Sequence, residues 1–189
     1  MGGNDKMAIR IGGMSILERV LQRLRPQCAR LIINANGDPA RFTATALPVV
    51  ADSVPGFAGP LAGILAGLDW AANNAPDIAW VVSVPGDCPF LPHDLVARLH
   101  RARDAADATV AAACSAGRAH PAVALWPIAL RDDLRHALAA GLRRVRDFSA
   151  RYQGADADWP DAPLDPFFNV NTPEDAAAAE QLVKQFPEL

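Results

Sequence analysis

Ala79-Trp80-Val81-Val82-Ser83-Val84-Pro85-Gly86-Asp87-Cys88-Pro89-Phe90-Leu91 is the stretch on which the fold turns. Its first half is apolar at nearly every position, where a strand with one wet face would alternate. It then stops at Pro85-Gly86-Asp87. A continuous apolar run ended by turn residues is the pattern of a parallel strand buried on both faces. The carboxylate of Asp87 therefore stands at the rim of a core strand, between two prolines that stiffen the turn and beside a glycine that removes bulk.

Outward from this strand the chain alternates helical and extended patterns. Ser15 and Glu18 have capping-box spacing, and Ile16, Leu17, Val20, Leu21 and Leu24 follow as a helical stripe that ends before Pro26. Short strands are expected at 31–34 and 48–52, with a weak helical turn after Asp38-Pro39. A turn at 56–59 leads to Pro60, placed as the first residue of an apolar helix. Beyond Asp87 the pattern predicts a helix over 92–103. Strands at 108–113 and 122–126 follow, joined by a polar turn at 115–121, and then a helical stretch over 129–148. A Pro/Asp/Gly-rich loop at 154–166 precedes a short strand at 167–170. Thr172-Pro173-Glu174-Asp175 then starts a final helix, with Thr as N-cap, Pro at the first position and acids facing the dipole. The expectation is an α/β fold, a Rossmann-like three-layer sandwich with a mostly parallel sheet, forming a single domain over 1–189.

Composition agrees and excludes several classes. The chain has 189 residues, 51% hydrophobic and 21% charged, with a net charge of −3, which suits a packed core rather than disorder or a nucleic-acid grip. No apolar run reaches the roughly 20 residues of a membrane span. Cys28, Cys88 and Cys114 cannot all pair and show no zinc spacing, so a reducing cytoplasm is the expected location.

In an open α/β sheet, ligands bind outside the carboxyl ends of the strands. Asn34 and Asn36 close one expected strand, Asp52 another and Asp87 a third, while Asn169 and Asn171 flank the last. Asn and Asp also favour turns for their own sake, which explains any one of these positions alone. Asp87 is different, because a carboxylate at the rim of a core strand calls for a cation. Magnesium carrying a nucleotide phosphate fits, since that ion takes one or two carboxylates plus phosphate oxygens. Lys6, just after Gly2-Gly3-Asn4-Asp5, could bring a point charge to a phosphate, though such a lysine is also an ordinary surface residue. No P-loop, dinucleotide fingerprint or nucleophile elbow is present. Cys88 has no readable base, and the charge of Asp87 would raise its pKa. Gly63 and Gly67 read as packing positions, His93, His100 and His136 as solvated, and His120 as a turn residue or a ligand contact.

Taken together, these pieces resemble the molybdenum cofactor guanylyltransferases, the MobA family of the nucleotide-diphospho-sugar transferase type of fold. The matching motifs are Met1-Gly2-Gly3-Asn4-Asp5-Lys6; Asn34-Ala35-Asn36; Asp52-Ser53 with Gly59-Pro60-Leu61-Ala62-Gly63; Pro85-Gly86-Asp87-Cys88-Pro89-Phe90-Leu91-Pro92; His120-Pro121; Ala140-Gly141 with Arg143-Arg144-Val145; and Phe168-Asn169-Val170-Asn171-Thr172-Pro173-Glu174-Asp175. The resemblance implies transfer of GMP from GTP to Mo-molybdopterin with release of pyrophosphate. It implies Lys6 and Asp87 as catalytic residues and Asp87 as the magnesium ligand. Lys6, Asn34, Asp52, Gly59, Pro60 and Asp87 would bind the nucleotide, and Arg143, Arg144, Asn169 and Asn171 would face the pterin. Implied partners are GTP, Mo-molybdopterin, other cofactor-maturation proteins and the acceptor molybdoenzyme, with no nucleic acid and no membrane, for a monomer.

Family members begin with a buried strand and a Leu-Ala-Gly-Gly loop ahead of the Met-Gly-Gly motif. Against that pattern the chain is expected to lack about 15 to 20 residues, leaving unpaired ladder groups on the neighbouring strands. Two other readings stay open at this point. One is a related molybdopterin cytidylyl- or sugar-nucleotidyltransferase; the other is a homologue that binds without catalysing.

Overall fold

The structure is a computed structural model that describes residues 6–54 and 59–186. In chain order its elements are β1 (Arg10–Ile11), β2 (Met14–Ser15), α1 (Ile16–Leu24), β3 (Ile33–Asn34), β4 (Val49–Val50), α2 (Pro60–Asn74) and β5 (Trp80–Ser83). Then come α3 (Leu95–Ala105), β6 (Val110–Ser115), β7 (Arg118–Pro127), α4 (Arg131–Ala139), α5 (Val145–Ser149), β8 (Gly154–Trp159) and α6 (Pro173–Gln185). Among the described residues no helix is long and apolar enough to cross a membrane.

The main sheet has the strand order β5-β7-β6-β8. β6 and β8 run parallel, while β7 runs against both β5 and β6, so the sheet is mixed rather than mostly parallel. The cause is the β6–β7 connection. Ala116 and Gly117 both have positive φ, 48° and 75°, the two-residue turn that fits the twist of an antiparallel hairpin. The stretch read as a polar turn at 115–121 is thus mostly strand. Its polar side chains stand on the hairpin, and Pro121 is accommodated by a break in register, with Ala112 opposite Ala124 but Ala113 opposite His120.

Three further expectations are corrected. Gly154–Trp159 is a strand paired along its whole length with β6, although its alternating Asp residues and the Gly at its start read as loop. Residues 167–170 form no strand; Phe167 N–H is bonded to the Asp165 carboxylate and Val170 N–H to the Asp87 carbonyl. The helical stretch 129–148 breaks at Gly141, where φ is +94°, into α4 and α5.

Helices cover both faces of this sheet. Ala111, Ala113, Leu125 and Trp159 turn toward α1, α3 and α6. Val110, Ala124 and Trp126 turn toward Leu61, Leu65 and Leu68 of α2 and toward α4 and α5. This is the three-layer sandwich that the alternating pattern predicts. The capping boxes form as read: Ser15 Oγ accepts from Glu18 N–H, and Thr172 Oγ1 from Asp175 N–H.

β3 and β4 pair with each other in parallel and share no ladder with the main sheet among the described residues. Between β3 and β5 lies an apolar cleft of about 630 Å³.

Trp126 is wholly buried, and its Nε1–H donates to Ser83 Oγ at 2.9 Å, locking β7 to β5. Trp126→Ala should cost about 3–5 kcal/mol, read as a lower urea midpoint with an unchanged slope.

Candidate active site

Two polar clusters stand at the carboxyl ends of the strands, on either side of the cleft. The first joins β3 to β4. Asn34 Nδ2–H donates to Asp52 Oδ1 at 3.0 Å and to the Val50 carbonyl at 3.1 Å. Asn36 Nδ2–H donates to the other carboxylate oxygen of Asp52 at 2.8 Å, and Asp52 N–H returns to Asn36 Oδ1 at 2.9 Å. Two carboxamides thus hold the half-buried Asp52 carboxylate in a fixed orientation beside the exposed start of α2. Gly59 is the N-cap there with φ +141°, a conformation suited to glycine, and Pro60 follows as the first helical residue.

Gly63 sits one turn into α2 against this cluster. A Cβ placed on it would lie 2.3 Å from Asn34 Oδ1. The small residue read as helix-to-sheet packing is what gives the Asn34 side chain its place. Gly67 does pack on the sheet, with Val81 3.7 Å from where its Cβ would be.

The second cluster forms around Asp87. Asn169 Nδ2–H approaches Asp87 Oδ1 at 3.4 Å, the Cys88 thiol donates to Asn169 Oδ1 at 3.2 Å, and Val170 N–H donates to the Asp87 carbonyl at 2.9 Å. The turn after β5 and the segment before α6 are far apart in sequence and are closed on each other by these bonds. Burial first, then the charges of Asp87 and Asp165, push the Cys88 thiol far above the ordinary range, so it is held as S–H and is no nucleophile.

Other expected site residues are placed differently. Asn171 is exposed at the start of α6, where its N–H donates to Asp175 Oδ2 at 2.9 Å. Arg143 folds its guanidinium onto the Leu138 and Leu142 carbonyls at 3.0 and 2.8 Å, closing the end of α4. Arg144 is exposed at the N-cap of α5. The Lys6 side chain, the motif at 1–5 and most of the turn at 56–59 lie outside the described residues.

Sequence reading missed a half-buried relay behind the Asp87 cluster. His120 Nε2 meets Ser115 Oγ at 2.7 Å, and Ser115 Oγ–H donates to Asp165 Oδ1 at 2.9 Å. The His120 ring lies 4.7 Å from that of Phe167. Desolvation, partly opposed by the charge of Asp165, lowers the His120 pKa. His120 therefore shapes the turn that carries Asn169. Neither His93 nor His100 is simply solvated, because Arg23 bonds to His93 and Trp80 packs edge-on against His100.

Among the described residues no group of three or more His, Cys, Asp or Glu side chains is arranged to hold a metal. The oxygen donors at Asp87 are those of an ion that keeps water and takes substrate oxygens, as magnesium does.

This frame matches the MobA-like NTP transferase domain over residues 1–155. The chain belongs to that family. It is 59% identical over 183 residues to the molybdenum cofactor guanylyltransferase of Rhodopseudomonas palustris (strain BisB5), covering 96% of this chain and 87% of that protein. It is 57% identical to the same-named protein of Bradyrhizobium sp. (strain ORS 278), covering 96% and 86%. In fold it is similar to molybdopterin-guanine dinucleotide biosynthesis protein A from Archaeoglobus fulgidus, with a TM-score of 0.73 at 20% identity, covering 96% of this chain and 91% of that one. A nucleotidyltransferase fold of the nucleotide-diphospho-sugar type follows from this membership.

Two measurements test the geometry. Gly63→Ala should gain up to about 1 kcal/mol of helix propensity while forcing Asn34 off Asp52. The expected result is a changed Asn34 side-chain amide signal by NMR with little loss of thermal stability. Cys88 should resist iodoacetamide at pH 8 in the folded protein and react fully in denaturant, as read by mass spectrometry.

Proposed function

We propose that this chain is a molybdenum cofactor guanylyltransferase, transferring GMP from GTP to the terminal phosphate of Mo-molybdopterin with release of pyrophosphate. The observation that carries the reading is the Asp87–Asn169 pair at the end of β5, across the cleft mouth from the Asn34–Asp52 pair. One pair offers oxygen donors for a phosphate-bound cation. The other offers a preset carboxylate and amides for the sugar or base.

The roles follow from charge. Asp87, with Asn169 beside it, would hold magnesium, which when bound supplies positive charge to the triphosphate and the leaving pyrophosphate. Lys6 adds an ammonium to the same phosphates. Gly59 and Pro60 bring the positive end of α2 next to the nucleotide, where no side chain stands between backbone and ligand. Asn34 and Asp52 orient the nucleoside. Arg143, Arg144 and Asn171 lie toward the pterin side in this reading.

A phosphate oxygen of molybdopterin attacks the α-phosphorus of GTP. The bond from that phosphorus to the bridging oxygen of the β-phosphate breaks, and pyrophosphate leaves with the electron pair. The chain's residues position two anions and offset their repulsion, with no covalent enzyme intermediate. The setting that goes with this reading is a monomeric cytoplasmic enzyme of one domain, handing its product to maturation proteins or an acceptor molybdoenzyme.

Asp87→Ala should lower magnesium-dependent GMP transfer by about a hundredfold or more with an unchanged circular dichroism spectrum. Most of the activity surviving in magnesium would overturn the assignment of Asp87. GTP binding that CTP displaces equally well would overturn the choice of guanine.

A further inference from the structure

We infer that Ser115 and Asp165 are positioning residues for the cation end of the site. Through the backbone of residues 165–170 they hold Asn169 against Asp87, and so set how tightly a divalent ion is bound there with the nucleotide. This rests on the reading of Asp87 as the ligand of that ion, and places a control on its affinity outside the ligands themselves.

The segment that carries Asn169 belongs to no strand or helix, so no ladder fixes its place. Burial of the side chain does not fix it either, since Asn169 is exposed. Its neighbours are the anchored residues, with Phe167 at 2% exposure and Val170 at 0%. Val170 N–H ties the far end of the segment to the Asp87 carbonyl at 2.9 Å. The near end is tied by Asp165, whose Oδ1 accepts from Phe167 N–H and from Ser115 Oγ–H, both at 2.9 Å. Phe168 N–H closes the turn on the Asp165 carbonyl at 3.1 Å.

Proton counting gives this relay a direction. A carboxylate only accepts, so the one hydroxyl proton of Ser115 goes to Asp165, and the Ser115 oxygen takes its own hydrogen bond from His120 Nε2–H at 2.7 Å. Ser115 is 2% exposed and ends β6, and His120 stands on β7. Those are the two middle strands of the main sheet, each paired on both sides. The Ser115 hydroxyl thus ties a segment without a ladder to the part of the sheet that is paired on both edges.

The distances show why the anchor matters. The relay bonds measure 2.7 to 2.9 Å, whereas Asn169 Nδ2–H reaches Asp87 Oδ1 at 3.4 Å, the outer limit of a hydrogen bond. A contact that long has no slack, and a shift of a few tenths of an ångström in the segment ends it. The Cys88 thiol, donating to Asn169 Oδ1 at 3.2 Å, turns the amide nitrogen toward Asp87 but is a weak donor. Residues that orient a metal ligand from behind typically change ion affinity by about tenfold or more.

The test reads Mn²⁺, a paramagnetic stand-in for magnesium, bound together with GTP, by loss of the free-ion electron paramagnetic resonance signal. Ser115→Ala and Asp165→Ala should each raise the Mn²⁺ dissociation constant about tenfold and move the Asn169 side-chain amide signal by NMR, with an unchanged circular dichroism spectrum. Asp165→Asn keeps the accepting oxygen and drops the charge, and should stay within about twofold of the parent. In an Asn169→Ala background, Ser115→Ala should add less than about twofold, because the two act in series. The inference is overturned if Ser115→Ala and Asp165→Ala bind Mn²⁺ as the parent does, if Asp165→Asn is as weak as Asp165→Ala, or if the Ser115 and Asn169 effects add in full. Should Ser115→Ala fail to fold, the two substitutions at the half-buried Asp165 decide alone. Mn²⁺ binding that survives Asp87→Ala, or a parent chain that takes up none, overturns the reading of Asp87 and this inference with it. Binding lost in Asp87→Ala and untouched in Ser115→Ala overturns this inference only.

Discussion

A strand covered by helices on both faces has nowhere to put a polar side chain except at its ends. That constraint organises the molecule. Trp126, Ala124 and Val110 fill one face of the main sheet and Leu125, Ala113 and Trp159 the other, and the groups with chemistry are displaced to the strand termini and to the loops that close on them. Asp87 emerges where β5 runs out of helical cover, and Asp52 where β4 does. Once there, each is satisfied by an amide from a different segment, Asn169 in one case and Asn34 with Asn36 in the other. Such charge-assisted hydrogen bonds fix geometry as well as energy.

What could be read from the sequence was local. The capping boxes at Ser15 and Thr172 and the proline start of α2 each carry their signal within a few residues, and each appears as read. The apolar run at 79–84 does form a strand, β5, but among the described residues it is half-buried, stands at one end of the main sheet and pairs antiparallel with β7, not as a parallel strand buried on both faces. The strands that were missed or mis-bounded take their identity from a partner. β8 is held by its full-length ladder with β6, a tertiary fact that overrides the turn-like look of Gly154-Ala155-Asp156-Ala157-Asp158. The direction of β7 rests on two residues, Ala116 and Gly117, whose dipeptide is a weaker turn signal than Asn-Gly. At 167–170, an apolar run that reads as strand instead packs its rings, Phe167 against His120 and Trp159, and turns its backbone toward Asp165 and Asp87.

The candidate site was legible as a set of positions and illegible as a set of pairs. Polar residues after apolar runs mark Asn34, Asp52, Asp87 and Asn169, because that placement has a mechanism. Which amide meets which carboxylate depends on sheet order and loop closure, and neither leaves a periodic trace. The same holds for Ser115 and Asp165, whose residue types are ordinary in turns and whose meaning lies in the contact with His120. Arg143 shows the converse: a basic pair that reads as a ligand contact has its foremost arginine engaged with the carbonyls at the end of α4.

The contact between Gly63 and Asn34 has a consequence for how such a protein can vary. The amide oxygen occupies the space where a helix residue would carry its first carbon, so the two positions form one steric unit although they lie on different elements. A larger residue at 63 is accommodated only if the side chain at 34 swings away or is shortened, and either loses a donor to Asp52. Drift at either place is therefore coupled to the other. A helix position that looks free to gain an alanine is tied to the polar cluster beside it.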